Sequence, residues 1–471
     1  MALSEVPAAP STRRTPPAPI PGDRQLGRLE LLLRLRRNPL TIWRQQHFQD
    51  PIVAGKSVLG YGVVISDPAA IRHVLVENNA NYPKDALQKT ILAPGLGQGL
   101  LTVEGDAWKR ARRTLAPLFT PRRVEALAAR MLPPIASQVA RMAQRRAGRI
   151  VDISEDMTRL TYDVLAQTLF SNAIAGGAVA FGQALTRYFA TQGRIDPLDI
   201  LGAPAWIPRI GRIRARPAID FFERQIEAIV TDRQTLRLSH PASADPHARD
   251  LLDALLDARD PETGAGLSDA EVGANIVTFI GAGHETTANA LTWSLYLVAT
   301  ADDVRERLEA EADGAAADPV AAVLAGDRLA MTRAVVEEAM RLYPPVPSLT
   351  RVAITEDEVG GVAIPKGALV IISPYVLHRH RALWTAPTQF WPERFLPGAR
   401  ETIDRYAYLP FGAGPRICIG LHFAMIEAVL SLTQLIGAFR FTYAGSDPPV
   451  PQQRITLRPQ GGMPMKLRAR R

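Results

Sequence analysis

A single cysteine, Cys418, stands in a chain of 471 residues. One thiol cannot build a disulfide framework, and it rules out multi-thiolate zinc and iron–sulfur sites. Lysine is nearly as scarce, at six of the 55 basic residues, with arginine supplying the rest. The resulting formal charge of +8 is not gathered into a basic run interleaved with aromatics, so no nucleic-acid partner is expected. No apolar stretch of about 18 residues stands out, and no transmembrane anchor is expected. The N-terminal 22 residues lack the apolar core of a signal peptide. No Walker-type loop occurs, and the glycines at 95, 97 and 99 and at 412 and 414 both miss the dinucleotide fingerprint G-x-G-x-x-G. The chain therefore carries no nicotinamide or flavin module of its own, and a cytoplasmic location is expected.

What is present is mostly helical periodicity. Short β-branched segments at Ser57–Ile65, Leu349–Ile354, Val359–Ile364 and Ala368–Ile372 are bounded by Gly and Pro in the manner of strands. Ser268 and Glu271 form a capping box ahead of some 30 helix-compatible residues running through Thr300. A helix of that length crosses a whole domain. The fold class is mainly α with a minor β region. Residues 1–44 read as a Pro-rich N-terminal segment with a lead-in helix, and 45–471 as one domain. The lead-in, Leu26–Arg37, is amphipathic and basic. Two readings stay open: a helix packed on the core, favoured by general frequency, or one in peripheral contact with a membrane surface.

Cys418 lies in Phe411–Gly420, a glycine-rich turn that leads into the apolar helical run Leu421–Leu435. A helix N-terminus offers unpaired N–H groups and the positive end of the dipole, which favour a thiolate. Gly412 and Gly414 let the backbone turn tightly there, and Arg416 adds charge two residues away. The pattern F-x-x-G-x-R-x-C-x-G resembles the haem-binding loop of the cytochrome P-450 superfamily, the haem-thiolate monooxygenases. That resemblance implies the cytochrome P-450 fold, with a long central helix over the haem and the Cys-ligand loop beneath it. It implies haem b (iron protoporphyrin IX) with Cys418 as metal ligand, and Phe411 and Gly412 in the cofactor-binding loop. With no C-x-x-C-H in the chain, the haem would be held without thioether bonds.

Ala282–Thr287 resembles the oxygen-activating stretch of the same superfamily, which makes Thr286 the proton-donating hydroxyl and Glu285 the relay to solvent. Gly281 and Gly283, each costing about 1 kcal/mol against alanine, suggest close approach of another group to the backbone or a local loosening of the helix, which with Thr286 would make a groove for a flat macrocycle. His284 lies about 200° around the helix from Thr286, so both cannot face one iron, and it reads as a packed or solvated histidine. Glu338, Arg341 and Arg394 match the superfamily's buried ion-pair network. Trp108 and Arg112, at i and i+4 on one helical face, match its propionate-binding helix, and Arg351 and Arg416 complete the expected set. The implied reaction is insertion of one atom of dioxygen into a small apolar organic substrate. Electrons would come from a ferredoxin- or flavin-type donor protein docking near Lys109, Arg110 and Arg113. The alternatives are a haem-thiolate peroxygenase or isomerase, which the Glu285–Thr286 pair speaks against, and a non-enzymatic haem-binding protein. By position, the substrate-contacting segments would be residues 81–101, 181–214 and 346–349, with Phe279 and Ile280 on the central helix, and with Ile91, Leu92, Leu96, Leu100, Ile200, Leu201, Trp206, Val346 and Leu349 as the apolar walls.

Overall fold

The computed structural model describes residues 14–470 apart from 58–59, 146–147, 171–209 (of these, only 184 and 188 are described) and 240–249. Its axis is the central helix, Asp269–Val298, 30 residues long. The expected capping box starts it: Ser268 Oγ accepts the Glu271 N–H at 3.3 Å, and Glu271 Oε2 accepts the Ser268 N–H at 2.9 Å. Two orphan donors of the first turn are thereby satisfied. Beyond that turn the helix is buried on nearly every side. It runs most extensively along Ile153–Phe170 and also against Ala330–Leu342 and Leu421–Ala438. A helix apolar all round belongs in the middle of a large core, and this one sits in a hydrophobic cluster reaching from Leu40 to Met465.

The helix after Cys418, Leu421–Ala438, corrects one expectation. By length and composition it could cross a membrane, the one such helix among the described residues, yet most of it is buried inside the protein. Leu430, Leu432 and Leu435 are wholly enclosed, so its apolarity is that of a core helix.

The β region is more extensive and more broken than the sequence suggests, with further strands at Ile150–Asp152, Phe439–Tyr443 and Pro464–Ala469. Ser57–Ile65 is not one strand. Ile52–Ser57 and Gly60–Ile65 pair antiparallel, with Ser57 opposite Gly60. Gly60–Ile65 then pairs parallel with Leu369–Ile372, which pairs antiparallel with Leu349–Val352. Likewise Val359–Ile364 is the turn and second arm of a hairpin, Asp357–Val359 with Val362–Ile364. Gly360 and Gly361 break it, both at positive φ, a backbone that only glycine adopts without strain. In the sheet, Arg351 lies opposite Val370 on an edge strand.

The lead-in forms a helix at Arg28–Arg37 in which only Leu35 is buried. Leu29 is 71% and Leu33 53% exposed, so half of the apolar stripe expected to pack on the core faces outward, while Leu26 and Leu32 are half-buried. Ahead of it, the described part of the Pro-rich segment is strapped onto the body. Tyr343 Oη donates to the Pro17 carbonyl at 2.8 Å, and the Gln45 N–H donates to Gly22 O at 3.0 Å.

Candidate active site

The Phe411–Gly420 loop closes on itself: the Cys418 N–H donates to Phe411 O at 2.9 Å and the Ile417 N–H to Gly414 O at 3.0 Å. Gly412 and Gly414 both sit at φ near +70° (72° and 71°). At Gly414 a Cβ would come within 2.0 Å of the Leu75 carbonyl, so no other residue fits that close approach. Cys418 is open to solvent, although protein surrounds it closely enough that burial pushes its thiol above the usual range. Both descriptions hold for a sulfur inside a narrow cleft. The Gly420 N–H, at the start of Leu421–Ala438, and the Arg112 guanidinium pull its pKa back down. Arg416, expected to supply that charge, is turned elsewhere.

Arg416 makes an ion pair with Glu104 and its guanidinium lies 4.2 Å over the Trp108 ring. Trp108 and Arg112 share the helix Gly105–Leu115. Arg351 is buried, donates to its neighbour's carbonyl, Thr350 O, at 2.8 Å, and is pushed down to about 10 by burial and by the charge of Arg416. Among the described residues Arg112 has neither a hydrogen bond nor an ion pair, and Arg416 Nη1 is buried without a partner. Arg416 and Arg351 therefore share the field of one carboxylate, Glu104, while Arg112 lies in the field of the Cys418 sulfur, and the three guanidiniums have donors left over. Such a set suits a ligand carrying more than one carboxylate. It fits the propionates of a haem, and the accessible sulfur fits its iron.

On the other side, the central helix stays α-helical through Ala282–Thr287. Ala282 is exposed although Gly281 and His284 are buried, so the helix carries a bare spot at mid-length. Thr286 lies one turn on, and its Oγ1 donates to Ala282 O at 2.6 Å. Gly283 serves a different purpose from the one expected. A Cβ there would stand 3.0 Å from Leu165, so it admits the neighbouring helix rather than a cofactor. His284 packs inside as expected, with Nδ1 2.8 Å from Ile280 O, and burial pushes it down to about 4. Glu285 is not hydrogen-bonded to Thr286. Its Oε1 accepts from Thr456 Oγ1 at 2.7 Å, its Oε2 is buried without a partner, and burial raises its pKa.

The expected ion-pair network is complete. Glu338 accepts two hydrogen bonds from Arg341, at 2.6 and 2.8 Å, stands 3.3 Å from Arg394 Nε, and accepts the Trp391 N–H at 2.7 Å. Arg341 spends its remaining donors on the carbonyls of His378, Pro387 and Gln389. His378 is a residue the sequence reading passed over. Its Nε2 accepts the Leu409 N–H at 2.8 Å, which ties the network to the chain entering the cysteine loop. Glu104 and Thr456 were missed as well. No local motif marks any of the three, because each acts across a long sequence separation.

The expected docking patch for a redox protein is largely neutralised within the chain. Arg113 holds Asp260 at 2.9 and 3.1 Å and Glu262 at 2.8 Å. Arg110 pairs with Glu271, and Lys109 with Asp106 at 3.1 Å. Of the substrate-facing candidates, Leu92, Leu96, Leu100 and Phe279 are buried, while Ile200, Leu201 and Trp206 lie outside the described residues.

The cytochrome P450 family model matches residues 31–465. Cyclooctatin synthase of Streptomyces melanosporofaciens is 35% identical over 393 residues, covering 83% of this chain and 82% of its own. Cyclooctat-9-en-7-ol 5-monooxygenase of the same organism is 31% identical, covering 73% of each chain. Human cytochrome P450 3A5 is 31% identical over 80% of this chain and 76% of its own. Among solved structures, a cytochrome P450 (CYP102L1) superposes with a TM-score of 0.80 at 26% identity, over 96% of this chain and all (100%) of its own. The cytochrome P450DA heme domain gives 0.78 at 26% identity, over 96% and 98%. With a lone accessible thiolate candidate, a cationic cradle and a bare spot on the long helix already in place, this chain belongs to the cytochrome P450 family and is a haem-dependent monooxygenase.

Proposed function

We propose that the protein inserts one atom of dioxygen into an apolar, largely hydrocarbon substrate, by C–H hydroxylation or epoxidation, using electrons from a separate ferredoxin- or flavin-type protein. The reading assigns Cys418 as the iron ligand, Phe411 and Gly412 to the loop that carries it, and Trp108, Arg112, Arg351 and Arg416 to the haem propionates. The observation that carries it is the Arg112 guanidinium, which has no hydrogen bond or ion pair among the described residues and whose charge acts on the Cys418 sulfur. When bound, a thiolate-ligated haem supplies an electron-rich iron that favours O–O cleavage. The chain's part is to hold the sulfur, satisfy the propionates and move protons. Thr286 holds a proton on Oγ1 beside the bare spot at Ala282. Glu285, whose burial keeps it protonated over a wider range, resupplies that proton.

The substrate reading rests on buried Leu92, Leu96, Leu100 and Phe279, with Phe119 set edge-on to Phe279 at 5.0 Å. Apolar walls favour apolar ligands. Two relatives support a cyclic skeleton, since one is named for cyclooctatin and the other for a cyclic unsaturated alcohol. We further propose that residues 45–471 form one catalytic domain with 1–44 leading into it, supported by the largest of the core clusters, which runs from Leu40 to Met465.

The test is a reduced-plus-carbon-monoxide difference spectrum. The red-shifted Soret band of thiolate ligation is expected in the parent protein and should vanish completely in Cys418→Ala. A screen of cyclic hydrocarbons for ferric spin-state shifts then identifies the substrate. A parent protein that shows only an imidazole-type band would overturn the assignment of Cys418.

A further inference from the structure

The hairpin Pro451–Gln453 with Leu457–Pro459 is 171 residues from Glu285, and nothing in the sequence connects the two. At its turn sits Thr456, 4% exposed. The Thr456 hydroxyl donates to Glu285 Oε1 at 2.7 Å. It accepts from Asn289 Nδ2 at 3.3 Å, and Asn289 lies one turn beyond Glu285 on the central helix. A hydroxyl has one proton to give. With Asn289 donating into its oxygen, that proton is directed at the carboxyl. The turn itself is pinned from three sides. The Leu457 N–H donates to Pro345 O at 2.9 Å, the Gln453 N–H to Asn38 Oδ1 at 3.0 Å, and Arg454 Nη1 to Arg37 O at 2.9 Å. Thr456 is therefore fixed by the body of the protein, not by the helix it serves.

We infer that Thr456 is a positioning residue for the proton-relay acid: the hairpin holds Glu285 turned away from Thr286, with one carboxyl oxygen fixed and the other left open. The inference rests on the reading of Glu285 as the relay. The acid–alcohol pair legible in the sequence is thus two separately held groups, Thr286 bound to its own helix and Glu285 to the hairpin. A relay must alternate between an acceptor and a donor. An acid with one fixed oxygen and one unpartnered oxygen can take and give the proton on the second while the first keeps its anchor. Besides Thr456 and Asn289, the group acting on this carboxyl from the packed elements is Arg458, on the same hairpin. Its positive charge and the Thr456 O–H both favour the ionised form, while burial opposes it.

The experiment uses the haem-loaded enzyme and the variants Thr456→Val, Thr456→Ser and Glu285→Gln. In carboxyl-region infrared spectra, the protonated Glu285 band is identified by its loss in Glu285→Gln. It should move to higher frequency in Thr456→Val, where the hydroxyl donor is gone, and stay in place in Thr456→Ser. The alkaline fall of coupled turnover should rise by about one pH unit in Thr456→Val, the value of one lost hydrogen bond to the ionised form, and return in Thr456→Ser. An unmoved band and an unmoved profile in Thr456→Val, with Glu285→Gln altering the profile, would overturn the positioning role and leave the relay standing. A profile unchanged in Glu285→Gln would overturn the relay itself, and this inference with it.

Discussion

Two glutamates, Glu338 wholly buried and Glu285 half-buried, lie on neighbouring helices of this protein and are treated in opposite ways. Glu338 is saturated: Arg341 chelates it, Arg394 stands beside it and a backbone N–H completes its shell. Glu285 has one hydroxyl donor and one bare oxygen. A saturated buried charge is rigid and serves the scaffold, because every departure from its position breaks several charge-assisted bonds. A half-satisfied acid keeps a raised pKa and room to exchange partners, which is what proton traffic needs. The contrast separates architecture from chemistry more cleanly than residue type does.

The largest way to test the contrast is to damage the saturated side. Glu338→Ala should strand two buried cations and cost about 3–5 kcal/mol, seen in denaturant midpoints and in loss of haem uptake. Glu285→Gln, by comparison, should leave the midpoint nearly unchanged. Similar destabilisation in both would erase the distinction. Next in size is Thr286→Ala. Product formation should fall about 100-fold while reductant consumption continues and peroxide accumulates, measured as the ratio of product to reductant. Unaltered coupling would favour a peroxygenase or isomerase.

Arg112→Ala tests the cradle. It removes the one guanidinium of the set without a hydrogen bond or ion pair among the described residues, so folding should be unaffected while haem dissociation quickens about tenfold, the effect of one charge-assisted bond. Apo-myoglobin capture of released haem reads that rate. The smallest effect concerns Arg113, which holds the Asp260 carboxyl down to about 2 from an ordinary 3.8. Asp260 is ionised in the folded state well below the unfolded pKa. Its contribution is therefore fully present above pH 4 or so and is lost as pH falls toward about 2. In Arg113→Ala that acid-side slope should flatten, as followed by stability measured against pH. Because Arg113 is already paired within the chain, the same variant should change reduction by a redox protein very little.

The proximal half was readable because its chemistry is local. The cysteine, its glycines and the helix that follows lie within one short segment, and the positive φ of Gly412 and Gly414 is what a tight turn before a helix requires. The capping box of the central helix is equally local, and it appears at the expected residues. Where the reading failed, the cause was a partner distant in sequence. Arg416 looked like the sulfur's cation but is drawn off by Glu104, 312 positions away, leaving Arg112 in that role. Gly283 looked like room for a cofactor but is room for Leu165. Leu29 and Leu33 have the spacing of a core-packed stripe, yet among the described residues no element covers them.

By itself the sequence determined the ligand loop, the long helix and the order of the motifs, since backbone conformation and helix capping depend on residues a few positions apart. Which carboxylate is silenced, which guanidinium stays available and where Glu285 points were decided only by the tertiary structure. Those outcomes depend on burial and on partners hundreds of residues away, and a buried charge has no fate until the groups that surround it are brought together.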